Sequence, residues 1–314
     1  MDFWGYLKTI DLGQAAIHVA VVLVFPPLLW GVINKTKAKF GGRVGPPLLQ
    51  TYWDLWRLIQ KGSVFSHTTT WVFRAGPIVG LATVLAASLL VPLGSIQGPV
   101  SFTGDLVMLL YLFALGRFFT VSAALDTGSA FEGMGGSREV SYAAMAEPAL
   151  LLGLMVLVRL SGKLQLAEMF ADEHAAGVGL SEASLLLVII SWFIVLLAEN
   201  CRVPFDDPNT HLELTMIHEV IVLDHGGPAL AMILYGATIK LLIFSALVLR
   251  LVMPWNNDGG PLDWIVFLGS ALGLAVAVGI VESVMARLRL LDIPKLLVAA
   301  GVLSAFGLVL VNQS

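Results

Sequence analysis

The chain has 314 residues, 57% of them hydrophobic and 13% charged, with a mean hydropathy of +0.86 and a formal net charge of -4. Water-soluble globules carry about 25% charged residues, so this composition excludes one. The small net charge leaves no electrostatic footprint for nucleic acid. What remains is a polytopic membrane protein.

A helix needs about 20 apolar residues to cross roughly 30 Å of hydrocarbon. Eight stretches are long enough: 14-33, 71-93, 105-124, 140-160, 183-199, 229-252, 262-282 and 291-311. Leu185 to Ala198 and Leu262 to Val281 are apolar on every face, whereas strands of a β-barrel would alternate in polarity over about ten residues. The expected fold is all-α: about eight transmembrane helices plus an interfacial amphipathic helix, in a single integral membrane domain over 1-314.

Ahead of the first span, Met1 to Gly13 sets Lys8 against Asp2 and Asp11, so it is no basic leader and the span is expected to be retained. His18 within it reads as a helix-helix hydrogen-bonding residue. After it, 45-61 places Leu48, Leu49, Tyr52, Trp53, Leu55, Trp56 and Ile59 near helical spacing, ending in Arg57 and Lys61. This amphipathic segment suits the membrane interface, or else a surface helix packed on its neighbours. Arg117 falls in the middle of the third span, Glu147 about one-third into the fourth, Glu199 at the end of the fifth and Lys240 near the middle of the sixth. A charge in such a position costs about 2.5 to 3.5 kcal/mol on insertion scales unless paired or hydrated. Four of them imply a polar interior, or cations that simply neutralise carboxylates to hold helices together.

With eight spans, one side holds Lys35, Lys37, Lys39, Arg43, Arg57, Lys61, Arg74, Arg138, Arg202, Arg287, Arg289 and Lys295, against Lys8, Arg159, Lys163 and Arg250 on the other. The rule that cations stay inside then puts 34-70 and 200-228 in the cytoplasm and both termini outside. Cys201 is the single cysteine, so this chain alone can neither close a disulfide nor hold an iron-sulfur cluster. His211, Glu213, His218, Glu219, Asp224 and His225 match no His-Glu-x-x-His spacing, and no metal site is expected. No internal repeat is visible, which weighs against a freestanding secondary transporter.

Three blocks carry a resemblance. Ala198-Glu-Asn-Cys-Arg-Val-Pro-Phe-Asp206 is followed by Glu213, Gly135-Gly-Ser-Arg-Glu-Val-Ser-Tyr142 precedes the fourth span, and Gly41-Gly-Arg-Val-Gly-Pro-Pro47 follows the first. Together they resemble the subunit shared by complex I and membrane-bound [NiFe]-hydrogenases at the junction of their membrane and peripheral arms, the NADH dehydrogenase subunit 1 type. The resemblance implies that Glu199 belongs to a line of buried acids linking a redox arm to antiporter-like subunits. Complex I carries Glu directly after its Ser-Tyr, whereas Tyr142 is followed by Ala143 and the acid moves to Glu147, one helical turn on. Thr210-His-Leu-Glu-Leu-Thr-Met-Ile-His-Glu219 and Val281-Glu-Ser-Val-Met-Ala-Arg-Leu-Arg289 resemble the forms in group 4 hydrogenases and formate hydrogenlyases.

The expectation is therefore a non-redox subunit without a catalytic centre of its own, in a prokaryotic inner membrane, coupling electron transfer to proton or sodium movement. Glu147, Glu199 and Glu213 would handle protons, with Arg117, Arg202 and Lys240 tuning them. Arg43, Arg138, Glu139, Asp206, Asp207, His211, His218 and Glu219 would dock partners, and 200-228 would be the coupling loop. The implied partners are a [NiFe]-hydrogenase large subunit, small or iron-sulfur subunits and antiporter-like membrane subunits. The [NiFe] centre and iron-sulfur clusters would lie in them, with no cofactor in this chain. The rival readings are a complex I type quinone-chamber subunit and a passive structural anchor.

Overall fold

A computed structural model describes residues 12-170, 180-206, 217-253 and 260-313. It is an all-α membrane protein. In chain order the helices are α1 (Leu12–Val24), α2 (Pro26–Phe40), α3 (Gln50–Gln60), α4 (Trp71–Leu90), α5 (Asp105–Asp126), α6 (Ala130–Ser161) and α7 (Leu166–Met169). They continue with α8 (Leu180–Glu199), α9 (His218–Ile221), α10 (Gly227–Val252), α11 (Pro261–Val284) and α12 (Ile293–Gln313). Among the described residues seven helices are long and apolar enough to cross a membrane, and the bent pair of α1 and α2 makes an eighth span.

That first span departs from the sequence reading of one helix over 14-33. It bends by 43° between α1 and α2, where Pro26 and Pro27 lack the N–H groups that would continue the ladder. Beyond the bend α2 runs on to Phe40, so Lys35, Lys37 and Lys39 sit on helix rather than in a loop. Leu48 then returns against α2 at Gly31, where a Cβ would collide with the Leu48 carbonyl oxygen. Only glycine permits that approach. It leaves α3 on the flank of the bundle, with Trp53, Trp56 and Ile59 exposed, as the amphipathic pattern predicts.

The fourth span is part of a longer helix. The sequence reading starts it at 140 with Gly135 to Tyr142 as a lead-in, but the helix begins at Ala130 and holds that block within its first turns. Glycine usually weakens a helix. Here it serves close packing, since a Cβ on Gly135 would meet Ile221 Cγ1 at 3.0 Å and Val220 Cγ1 at 3.1 Å. At 32 residues α6 is about 48 Å long, well beyond the hydrocarbon thickness.

Among the described candidate spans α10 is the most buried. It packs on α4, α2, α3 and α8, while α12 fills the angle between α6 and α8, and α5 pairs with α4. Arg250, counted above among the four cations of the outer side, lies buried at the end of α10 and donates to the Gly94 carbonyl at 2.5 Å. At the opposite end, Asp126 of α5 accepts from the backbone N–H groups of Thr70 at 2.6 Å and Phe73 at 3.3 Å, fixing the start of α4.

Candidate functional site

Arg117 lies on α5 one residue after Gly116, where a Cβ would stand 2.6 Å from Thr83 Oγ1 of α4. Close packing of α4 and α5 thus sets the guanidinium's depth. Its Nη2 donates to both oxygens of Glu199 at 2.8 Å, and Nη1 donates to Glu147. Nε stands 3.8 Å from Glu139. Lys240 on α10 completes the group, with Nζ 2.7 Å from the second oxygen of Glu199. Four helices therefore contribute to one charged cluster: α5 and α10 the cations, α6 and α8 the acids.

Exposure ranks these acids. The Glu199 side chain is 7% exposed and that of Glu139 17%, whereas Glu147 is 44% exposed. Glu147 reaches inward to Arg117 yet keeps one side on the protein's flank. Formally three carboxylates face two cations, so the cluster carries one surplus negative charge at neutral pH. A guanidinium is a suitable centre because its planar fork can bond several carboxylates at once.

Beside the cluster lies a cavity of about 340 Å³. Its wall includes Arg117, Glu139, Glu199 and Lys240, with Trp30 and Asn34 from α2, Phe113 from α5, Cys201 and Asp206 from the segment after α8, and His218 and Glu219 from α9. No residue of α3 lines it, so the amphipathic helix flanks the site rather than forming it.

A second buried charge group was not singled out from sequence. Glu282 of α11, its side chain fully enclosed, pairs with Lys37 at 2.9 Å and Arg202 at 3.5 Å. The Arg202 guanidinium also lies 4.8 Å over the Trp30 ring. Burial pulls its pKa below the ordinary guanidinium value, against the opposing pull of Glu282. Among the described acids, Arg202 pairs with Glu282. Only Glu282's place inside an apolar run could have flagged it.

The motif after α8 is built by a Schellman turn: Arg202 N–H donates to Leu197 at 2.9 Å and Cys201 N–H to Ala198 at 3.1 Å. Cys201 takes the left-handed position, φ 50°, usually given to glycine. Its thiol is pushed up by burial and by the nearby carboxylates Glu139 and Asp206. Asp206, 3% exposed, accepts from the backbone N–H groups of Ile217 at 3.0 Å and His218 at 3.1 Å, and from Arg287 at 2.9 Å. Its carboxylate therefore ties the loop ends to the connection before α12.

Of the other residues assigned to docking, Arg43 is exposed, while Arg138, Glu139, His218 and Glu219 are half-buried. Glu213, Asp207 and His211 lie outside the described residues. Among the described residues there is no complete metal or redox cofactor site; Glu139, Cys201 and His218 form a three-ligand group.

A family model described as NADH dehydrogenase matches residues 13–312. The chain is 31% identical to formate hydrogenlyase subunit 4 of Escherichia coli (strain K12), over 89% of this chain and 92% of that one. It is also 31% identical to hydrogenase-4 component C of the same strain, over 81% and 78%. An NADH-quinone oxidoreductase subunit of Anaplasma phagocytophilum (strain HZ) is 26% identical over 77% and 75%. A solved structure, that of the membrane-bound sulfane sulfur reductase, an archaeal respiratory membrane complex, shares the fold with a TM-score of 0.81. That likeness spans 95% of this chain and 98% of its counterpart at 20% identity. The matches along almost the whole chain place it in the NADH dehydrogenase family of membrane subunits, among the relatives of formate hydrogenlyase subunit 4 and hydrogenase-4 component C.

Proposed function

We propose that this chain is the membrane-anchoring and ion-translocating coupling subunit of an energy-converting [NiFe]-hydrogenase or formate hydrogenlyase complex. The observation that carries the reading is the Arg117 cluster, three carboxylates held by two cations inside a membrane bundle. With one negative charge in surplus, the cluster can take up one proton without separating every ion pair. Because Arg117 bonds Glu199 and Glu147 from different nitrogens, a small shift of its guanidinium trades one ion pair against the other.

The cluster also joins two surfaces. Glu139 and Glu199 line the cavity, next to loop residues His218 and Glu219, and Glu147 reaches the flank. A redox arm docked on loop 200-228 and on Arg43, Arg138 and Glu219 would press on the cavity end, and an antiporter-like subunit would meet the Glu147 side. Glu213 belongs to the same proposal as a proton-handling acid. The redox centres would sit in the partner subunits, and the site would lie in a prokaryotic inner membrane.

The test measures hydrogen-linked ion uptake in vesicles together with assembly of the complex. Glu147→Gln and Glu199→Gln keep side-chain shape while removing the titrating group, and are expected to cut uptake at least tenfold in the complex that assembles, with assembly reduced less than uptake. Normal uptake by the assembled double variant would sink the reading and favour a passive anchor. The cavity supports one second reading. Its volume of about 340 Å³ falls in the range of small-molecule pockets, which leaves a complex I type quinone-chamber subunit as the alternative although no residue of α3 lines the cavity, and quinone-dependent turnover would distinguish it.

A further inference from the structure

Glu139, Cys201 and His218 come from three separate elements: the first half of α6, the turn that ends α8, and the start of α9. One carboxylate oxygen, the thiol sulfur and one imidazole nitrogen lie within 4.8 Å of one another. All three residues line the cavity, so a position opposite them is open. His218 Nδ1 is buried with no hydrogen-bond partner, and such a nitrogen costs about 1 to 3 kcal/mol in an otherwise satisfied interior. Cys201 holds a left-handed backbone at a position where glycine is the unstrained choice. The turn therefore keeps a thiol there against a local penalty.

We propose that these three residues bind a zinc ion, with water from the cavity as fourth ligand. Sulfur, imidazole nitrogen and carboxylate oxygen are the ligand types zinc takes, and three protein ligands plus an open position is a known zinc arrangement. Zinc bonds of about 2.0 to 2.3 Å set ligand atoms roughly 3.3 to 3.7 Å apart, so at most about 1.5 Å of side-chain adjustment closes the set. Charge balances as well. The thiol gives up its proton on binding, thiolate and carboxylate neutralise the ion, and Arg117 nearby is already matched by Glu147 and Glu199.

Bound zinc withdraws Glu139 from Arg117, now 3.8 Å away, and fills the mouth of the cavity. On the coupling reading above, this makes zinc an inhibitor of ion transfer. The site itself does not depend on that reading.

The test equilibrates the intact membrane complex with Zn²⁺, removes free metal and measures bound zinc, with a parallel sample loaded with Co²⁺. The parent is expected to hold one zinc more than Cys201→Ser, Glu139→Gln or His218→Gln. Subtracting the Co²⁺ spectrum of Cys201→Ser from that of the parent should leave a thiolate-to-cobalt charge-transfer band. Equal zinc content across parent and variants would overturn the site. If the variants do not assemble, Cys201 decides in the parent, because it is the chain's single cysteine and its alkylation by a maleimide can be followed by mass spectrometry. Zinc should slow that alkylation at least tenfold, reversibly by chelator. A thiol equally reactive, or equally inert, with and without zinc would also overturn the site. Bound zinc with undiminished ion uptake would uphold the site and count against Glu139 in the ion path.

Discussion

Glu199 receives hydrogen bonds or ion pairs from both Arg117 and Lys240, and its side chain is 7% exposed. Removing one cation leaves a buried carboxylate short of a partner, which costs about 3 to 5 kcal/mol for a broken buried pair, whereas removing both charges of a pair is often nearly neutral. Lys240→Met should therefore destabilise the purified complex by several kcal/mol, and the Lys240→Met, Glu199→Gln double variant should recover most of it. Thermal unfolding of the single variants and the double in one detergent supplies the coupling energy. A double variant as unstable as the sum of its singles would mean that Lys240 and Glu199 act independently. The ion-transfer consequence runs the other way, since the double variant loses the titrating acid and should remain uncoupled however stable it becomes.

At the scale of elements, the corner where α4 begins and α10 is about to start is held by a His225 ring stacked on Phe73, with centroids 4.0 Å apart. Burial lowers the His225 pKa from 6.5 to about 4, with Asp224 pulling the other way. The opened corner takes up a proton near the higher value and the packed one only near the lower. The stack therefore contributes fully above pH 6.5 and is lost as pH falls toward 4. After discounting for solvent screening the loss is on the order of 1 to 2 kcal/mol. Hydrogen-exchange protection around 222-230, taken relative to the intrinsic amide rate at each pH, should fall as pH drops between those two values in the parent and stay flat in His225→Phe; a parent whose protection does not fall would count against a buried neutral ring.

These elements also show what a sequence can and cannot reveal. Arg117, Glu199 and Lys240 stood out because each charge interrupts an apolar run, and all three meet in the fold. That Gly135-Gly-Ser is helical was not legible in the sequence, for a physical reason. Glycine marks either a turn or a close approach, and only the packing of Val220 and Ile221 on α6 decides which. The pairing of Arg202 and Lys37 with Glu282, and the meeting of Glu139, Cys201 and His218, join residues far apart in the chain. No local pattern encodes such partnerships.

Across the whole molecule, the cation asymmetry persists once individual charges are placed in the fold. At the end where α4 and α6 begin, Arg43, Arg57, Lys61, Arg289 and Lys295 are exposed, even after Lys37, Arg202 and Arg287 are committed to internal ion pairs. At the other end Arg250 is buried on the Gly94 carbonyl and Lys163 is paired with Glu168 at 3.1 Å. Arg159 and Lys163 stay exposed at that end, so what faces water keeps the cation excess of the sequence count. The long α6 projects at the cation-rich end, carrying Glu132 to Arg138 past the hydrocarbon and giving α9 a platform. If cations stay on the cytoplasmic side, that platform faces the cell interior, where a soluble redox arm would dock. Ser66, in the connection before α4, and Lys163, just after α6, are exposed at opposite ends of the bundle. In a Cys201→Ser background, Lys163→Cys should react with an impermeant maleimide applied to intact cells, and Ser66→Cys should react only after lysis. Labelling of Ser66→Cys from outside would invert the orientation, put the cavity mouth and its acids on the external face, and leave the docking of a cytoplasmic redox arm without a surface.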